Sequence, residues 1–309
     1  MSLLTVGTVA FDAIETPFGK TDKIVGGAAT YIAWSASYFS KQVNIVSVIG
    51  DDFDMNELDL LRARGVDTTG IEIKKGKKSF FWSGKYHLDM NSRDTLVTEL
   101  NVLLEFNPIL PDSYKGSDIV LLGNIDPALQ LNVISQMEDK PKLIVLDTMN
   151  FWMTEPFIDK LKEVIGLVDV LTINDAEARQ LANEYSLVKA AKKVLAMGPK
   201  YLVIKKGEHG ALLFHENEVF FAPALPLEEV FDPTGAGDTF AGGFCGYLDK
   251  SRDISFENMK RAVIYGSAMA SFCVEKFGTE RLKTLSHHDI EGRVKDFIDL
   301  VQFDIVLED

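Results

Sequence analysis

The stretch FDPTGAGDTFAGGF, Phe231 to Phe244, sets Pro233, Gly235 and Gly237 in alternation and then places an acid, Asp238, at the mouth of an apolar helix. Successive glycines let the backbone turn so that several N–H groups converge, and those donors lie at the positive end of the helix dipole. Such a turn is an anion pocket. It is not a P-loop, which needs GxxxxGK[ST], because no lysine follows the glycines. Nor is it the dinucleotide fingerprint GxGxxG, whose third glycine would fall on Phe240. A carboxylate binds phosphate poorly, but beside such a pocket it is placed to take a proton from a hydroxyl that attacks phosphorus. The alternative is a helix cap, worth about 1 kcal/mol.

Upstream, short apolar runs alternate with helical patterns. Leu3 to Val9, Val43 to Ile49, Asp118 to Leu122, Leu143 to Asp147, Val168 to Ile173 and Tyr201 to Lys205 read as strands. Ala28 to Phe39, Ala176 to Asn183 and Leu187 to Met197 repeat apolar residues at three- and four-residue spacing and read as helices. Near-continuous apolar strands between helices predict a mostly parallel sheet covered on both faces. Two polar, glycine-containing excursions break the rhythm, 12–24 and 69–104. The second reads as an antiparallel hairpin, and together they predict a small β lid at the carboxyl ends of the strands, where open α/β sheets bind ligands. A hairpin follows at Ala211 to Ala222, and the last third is helical. With no linker-like tract, 1–309 is expected to form one domain with this lid.

The chain has 309 residues, 46% hydrophobic and 25% charged, with a formal net charge of -14. Nothing offsets that charge locally, so nucleic acid is not an expected partner. An anionic ligand stays compatible with it, because a helix N-terminus or a divalent cation makes a local positive spot. Cys245 and Cys273 lie in buried-looking helix and belong to no metal spacing, and the five histidines show none either. The start lacks a basic leader and no run approaches the roughly 20 apolar residues of a membrane span, so a cytoplasmic protein without membrane contact is expected.

DPTGAGDTFAGGF resembles the C-terminal signature of the ribokinase family, also called PfkB, of carbohydrate and nucleoside kinases. VGGAATYIAWSAS (Val25 to Ser37) resembles its N-terminal glycine signature, INDAE (Ile173 to Glu177) its NxxE element, and KKGEHGALLF (Lys205 to Phe214) its ATP-side strand and turn. The resemblance implies a ribokinase-like three-layer α/β/α sandwich with a β lid, and transfer of the γ-phosphate of MgATP to a hydroxymethyl group. By position, Gly235, Ala236 and Gly237 would offer N–H groups to the moving phosphate and Asp238 would be the general base. Asn174 and Glu177 would organise Mg²⁺ through water, the alternative being an N-cap and a solvated acid. Asp232 and Thr234 match positions that help hold K⁺ in many members. Asp12 would bind substrate hydroxyls, with Gly26 and Gly27 allowing close backbone approach. Lys206 and Gly207 would border the nucleotide, and Ala268, Ser271 and Gly278 would lie at the adenine pocket unless helix packing explains them.

Two positions depart from the pattern. Tyr31 stands where many members carry Asn, which removes a polar contact with the sugar, and Lys205 replaces a small hydroxyl residue and could reach phosphates. In the lid, Arg93 could clamp phosphate as a forked donor. Phe80, Phe81, Trp82 and Tyr86 could floor a nucleobase, pair two lids in a homodimer, or simply pack. DTMN, Asp147 to Asn150, ends a strand as a neighbour of the substrate. The expected activity is ATP-dependent phosphorylation of a sugar; a purine nucleoside is the alternative acceptor, and a catalytically silent ligand-binding regulator is the third reading.

Overall fold

The computed structural model describes residues 1–302. In chain order the first half comprises β1 (Leu3–Val6), β2 (Ala10–Thr16), β3 (Gly19–Lys20), β4 (Ile24–Gly26), α1 (Ala28–Ala36), β5 (Val43–Gly50), α2 (Met55–Ala63), β6 (Val66–Lys74), β7 (Phe81–Tyr86), β8 (Arg93–Glu99), β9 (Ile119–Leu122), α3 (Pro127–Ser135) and β10 (Leu143–Asp147). The second half comprises α4 (Ile158–Ile165), β11 (Val170–Asn174), α5 (Asp175–Ala182), α6 (Leu187–Leu195), β12 (Tyr201–Lys205), β13 (Ala211–His215), β14 (Glu218–Ala222), α7 (Ala236–Ser251), α8 (Phe256–Cys273), α9 (Glu280–Lys283) and α10 (His287–Val301).

Nine strands form the main sheet in the order β14-β13-β12-β11-β10-β9-β1-β5-β6. All neighbours are parallel except β12–β13 and β13–β14, which are antiparallel; β13 and β14 form the expected hairpin. Strands such as IVLL of β9 and LIVLD of β10 are buried throughout, which is why they read as apolar runs rather than alternations. One face packs on α1, α7 and α8, the other on α3 to α6, giving two apolar clusters divided by the sheet. The fold is therefore an α/β/α sandwich. In α7, glycines do packing work: a Cβ at Gly246 would stand 2.9 Å from the Cα of Ala36, and one at Gly243 would stand 3.2 Å from the Cα of Gly266.

From β1 the chain moves outward to β5 and β6, then returns to β9 on the other side of β1. Strand order thus reverses between β1 and β9, and the crevice at such a reversal is where open α/β sheets take ligands.

Over that crevice stands a five-stranded sheet, β3-β2-β7-β8 with β4 paired to β2. It contains the expected β7–β8 hairpin, but its boundaries differ from the excursions 12–24 and 69–104. Residues 69–74 lie in β6, the outer strand of the main sheet, in parallel register from Val46↔Gly70 to Gly50↔Lys74. An edge strand with one face in solvent alternates apolar and polar residues as a hairpin does, and that pattern cannot separate the two. β2 begins at Ala10, so Asp12 belongs to the small sheet.

Candidate active site

The turn before α7 is pinned from below. Asp232 is fully buried; its Oδ1 accepts the Thr234 N–H (2.8 Å) and its Oδ2 the Gly278 N–H (2.9 Å). Gly235 then adopts φ +74°, left-handed, and a Cβ there would overlap the Tyr31 ring, so only glycine serves. The Ala236 N–H goes to the Pro233 carbonyl (3.2 Å) and the Thr239 N–H to the Gly235 carbonyl (2.8 Å). Between them the N–H groups of Gly237 and Asp238 begin a 16-residue helix and have no carbonyl one turn earlier to receive them.

The N-cap residue of α7 is Gly235, which offers no side-chain cap, and Asp238 is the acid of the first turn. Burial first, and the nearby Asp147 carboxylate second, push Asp238 up to about 7, while Lys205 and Arg93 pull it back. Lys205 ends β12 and its ammonium binds Asp147 Oδ2 at 2.7 Å, with side-chain exposures of 17% and 7%. It also stands 3.1 Å from where a Cβ at Gly237 would be, directly over the first turn of α7.

Asn174 and Glu177 open α5 as a reciprocal capping box: Glu177 Oε2 accepts the Asn174 N–H and Asn174 Oδ1 accepts the Glu177 N–H, each at 2.8 Å. The N-cap half of the alternative reading is thus present, yet Glu177 is buried, not solvated. Burial raises it to about 7, against the Asn174 N–H and Lys205.

Asp12 closes the other side. Burial, then the charge of Asp232, lift it to about 7, and its carboxyl fills the space where Gly26 lacks a side chain. Gly27 has φ +90° and lies against the Thr8 backbone, so both glycines are required by close approach. Across the β2–β7 ladder Asp12 pairs with Trp82, and on the next ladder Tyr86 pairs with Arg93. The Arg93 guanidinium lies 5.6 Å from the Trp82 ring and 5.9 Å from that of Tyr86. Its charge acts on Asp12, Glu177 and Asp238 together. The Thr234 hydroxyl donates to Tyr86 Oη at 3.1 Å, and Asn91 at the β7–β8 turn abuts Gly207, so the small sheet touches both ends of the crevice.

Tyr31 is buried beneath Gly235, and its hydroxyl has no partner among the described residues. Lys206 donates its N–H to the Gly210 carbonyl and forms the turn with Gly207, whose φ is +55°. The Gly278 N–H is taken by Asp232. Ser271 donates to the Ala268 carbonyl and accepts from Arg293 of α10, both at 2.7 Å, and Ala268 has no exposed surface. Ser271 thus ties α8 to α10. Asp147 is the residue that sequence reasoning undervalued; its one signal was a carboxylate ending the buried run LIVLD.

A family model, the pfkB family carbohydrate kinases, matches residues 3–285. The chain belongs to that family. A relative, the cytidine kinase of Thermococcus kodakarensis, is 32% identical over 260 residues, spanning 82% of this chain and 91% of that protein. Among solved structures, a Burkholderia thailandensis nucleoside kinase in complex with inosine superposes with a TM-score of 0.77 at 19% identity, covering 96% of this chain and 99% of the other. The ribokinase of Thermotoga maritima gives 0.73 at 22%, covering 96% and 99%. This kinase is accordingly a phosphotransferase acting on an alcohol group, and its relatives take sugars or nucleosides. No helix among its described residues is long and apolar enough to cross a membrane.

Proposed function

We propose that this kinase phosphorylates the hydroxymethyl group of a nucleoside, with MgATP as donor and Asp238 as general base. The observation that carries the choice is the face of the small sheet above Asp12. Trp82 is the direct neighbour of Asp12, and Tyr86 and Arg93 continue the same surface. An acid for sugar hydroxyls beside an aromatic and cationic surface for a base suits a nucleoside, stacking contributing about 1–3 kcal/mol per base. The similarity to a cytidine kinase supports the same choice.

In this reading the acceptor hydroxyl gives its proton to Asp238 as its oxygen bonds to the γ-phosphorus. The bond from that phosphorus to the bridging oxygen breaks, and its electron pair leaves with ADP. Charge on the transferred group is met by the Gly237 and Asp238 N–H groups, with Gly235 and Ala236 shaping the turn, and by Lys205 and Arg93. Lys206 and Gly207 border the nucleotide. The small sheet acts as a lid that excludes water from the ATP.

Kinases of this family use ATP with Mg²⁺. Among the described residues no three His, Cys, Asp or Glu side chains form a ready cage. The oxygen donors of Glu177 and Asn174 fit a Mg²⁺ carried in on phosphates and kept hydrated, which neutralises charge on those phosphates. Asp232 suits K⁺: its carboxylate is fully buried, accepts two neutral N–H groups, and has no ion-pair partner among the described residues. Thr234 lies beside it. The lid edge β8 is exposed along all seven residues, including Leu96 and Val97, and we propose it as the face that pairs two copies.

ADP release is the test, measured with MgATP and K⁺ on cytidine, uridine, adenosine, inosine and a set of free pentoses and hexoses. Turnover is expected on one or more nucleosides. Turnover confined to free sugars would overturn the nucleoside choice, and none at all with ATP still bound would point to a regulator.

A further inference from the structure

Asp147 has no part in the mechanism above, yet it makes the shortest contact to the cation of the site. Its carboxylate holds Lys205 Nζ at 2.7 Å, between two side chains that are largely buried. Asp147 ends β10 and Lys205 ends β12, with β11 between, so the pair bridges the carboxyl ends of three adjacent strands. The ammonium lies 3.1 Å from the position of a Cβ on residue 237, which places it over the N–H groups that α7 leaves open. Glu177 and Asp238 also act on it. A lysine on its flexible four-carbon stem would otherwise sample many positions; tied to a fixed carboxylate it needs no reorganisation when an anion arrives.

We propose that Asp147 is a positioning residue for phosphoryl transfer, holding the Lys205 ammonium over the first turn of α7 so that the terminal phosphates of the nucleotide meet a fixed cation. Asp238 is thereby left free to accept the proton of the acceptor hydroxyl. The inference rests on α7 being the phosphate site, as in the proposed function. A Cβ at residue 237 would sit close against the ammonium, at 3.1 Å.

The test uses the full-length protein and the variants Lys205→Met, Asp147→Asn and the double variant. Binding of the non-hydrolysable analogue AMP-PNP and of AMP is read by calorimetry, and kcat and KM by ADP release. Lys205→Met should weaken AMP-PNP at least tenfold and leave AMP within about twofold. Asp147→Asn should lower kcat at least tenfold with KM for ATP within about threefold. The double variant should be no slower than Lys205→Met alone, because Asp147 acts through the lysine. Undiminished AMP-PNP binding by Lys205→Met, or kcat losses that multiply in the double variant, would overturn the proposal. Lys205→Met leaves a buried carboxylate unpaired; if it does not fold, the double variant decides. Lost preference for AMP-PNP over AMP then supports the proposal, and retained preference overturns it. Failure of the underlying reading shows separately, as normal turnover by Asp238→Asn.

Discussion

The strand ends of the large sheet and the underside of the small sheet face the same carboxylates, but they are built differently. β9, β10 and most of β11 are buried on both faces, and from their ends and from α5, α7 and β12 come Asp147, Glu177, Asp238 and Lys205. β8, by contrast, has no buried residue, and its Arg93 leans on two aromatic rings. Bond making needs groups held to a fraction of an ångström, which close packing on two faces supplies. The lid role proposed for the small sheet needs an element that can part from the body at low cost, and the exposed edge β8 fits that need.

The sharpest way to break that contrast is Asp238→Asn. It should reduce kcat by about 10²–10⁴-fold with Tm unchanged or higher, since a buried charge is removed and no packing lost. A kcat within a few-fold of the parent would remove the base from the large-sheet side. Next in size, Leu121→Ala in β9 should cost about 2–5 kcal/mol in urea unfolding, because Leu121 is fully buried. Leu96→Ala on β8, where Leu96 is 54% exposed, should stay within about 0.5 kcal/mol. Equal losses would mean that the two sheets are equally committed to stability. Arg93→Ala should lower kcat/KM by about 10- to 100-fold, the scale of a charged hydrogen bond, and leave Tm where it was.

A further test of the contrast is a pH dependence. Asp12, Glu177 and Asp238 stand at about 7 when folded, against ordinary values near 4, so between those limits the folded chain binds more protons than the unfolded one. Stability contributed by these groups is therefore present at low pH and lost as pH rises through about 7, by at least about 1 kcal/mol. Unfolding at pH 5 and pH 8 measures it, and Asp238→Asn should flatten the difference. Activity should run the opposite way, rising through the same window as Asp238 loses its proton. A stability that increases from pH 5 to 8 would show these acids to be better solvated than their burial implies.

Much of this was legible in the chain. The run DPTGAGD requires a left-handed glycine and an open helix start whatever surrounds it, and the structure has both at Gly235 and α7. Apolar runs announced the buried strands. The stretch IEIKK, however, alternates equally well as a hairpin or as the edge strand β6, and Ser271 fits an adenine pocket equally well as a clamp to α10. Local pattern does not say which neighbour an element meets.

That limit separates what the sequence by itself determined from what the tertiary structure decided. Strand and helix periods, the backbone demands of glycine and the placing of an acid at a helix mouth are properties of adjacent residues, and they set the fold class, the glycine turn and the place of Asp238. The pairing of Asp147 with Lys205, 58 residues apart, and the contact of Tyr86 with Thr234, 148 apart, depend on strand order and on where the small sheet lies. Residues so far apart meet only because the packed sheet brings its strand ends to one edge, and no local period records that meeting.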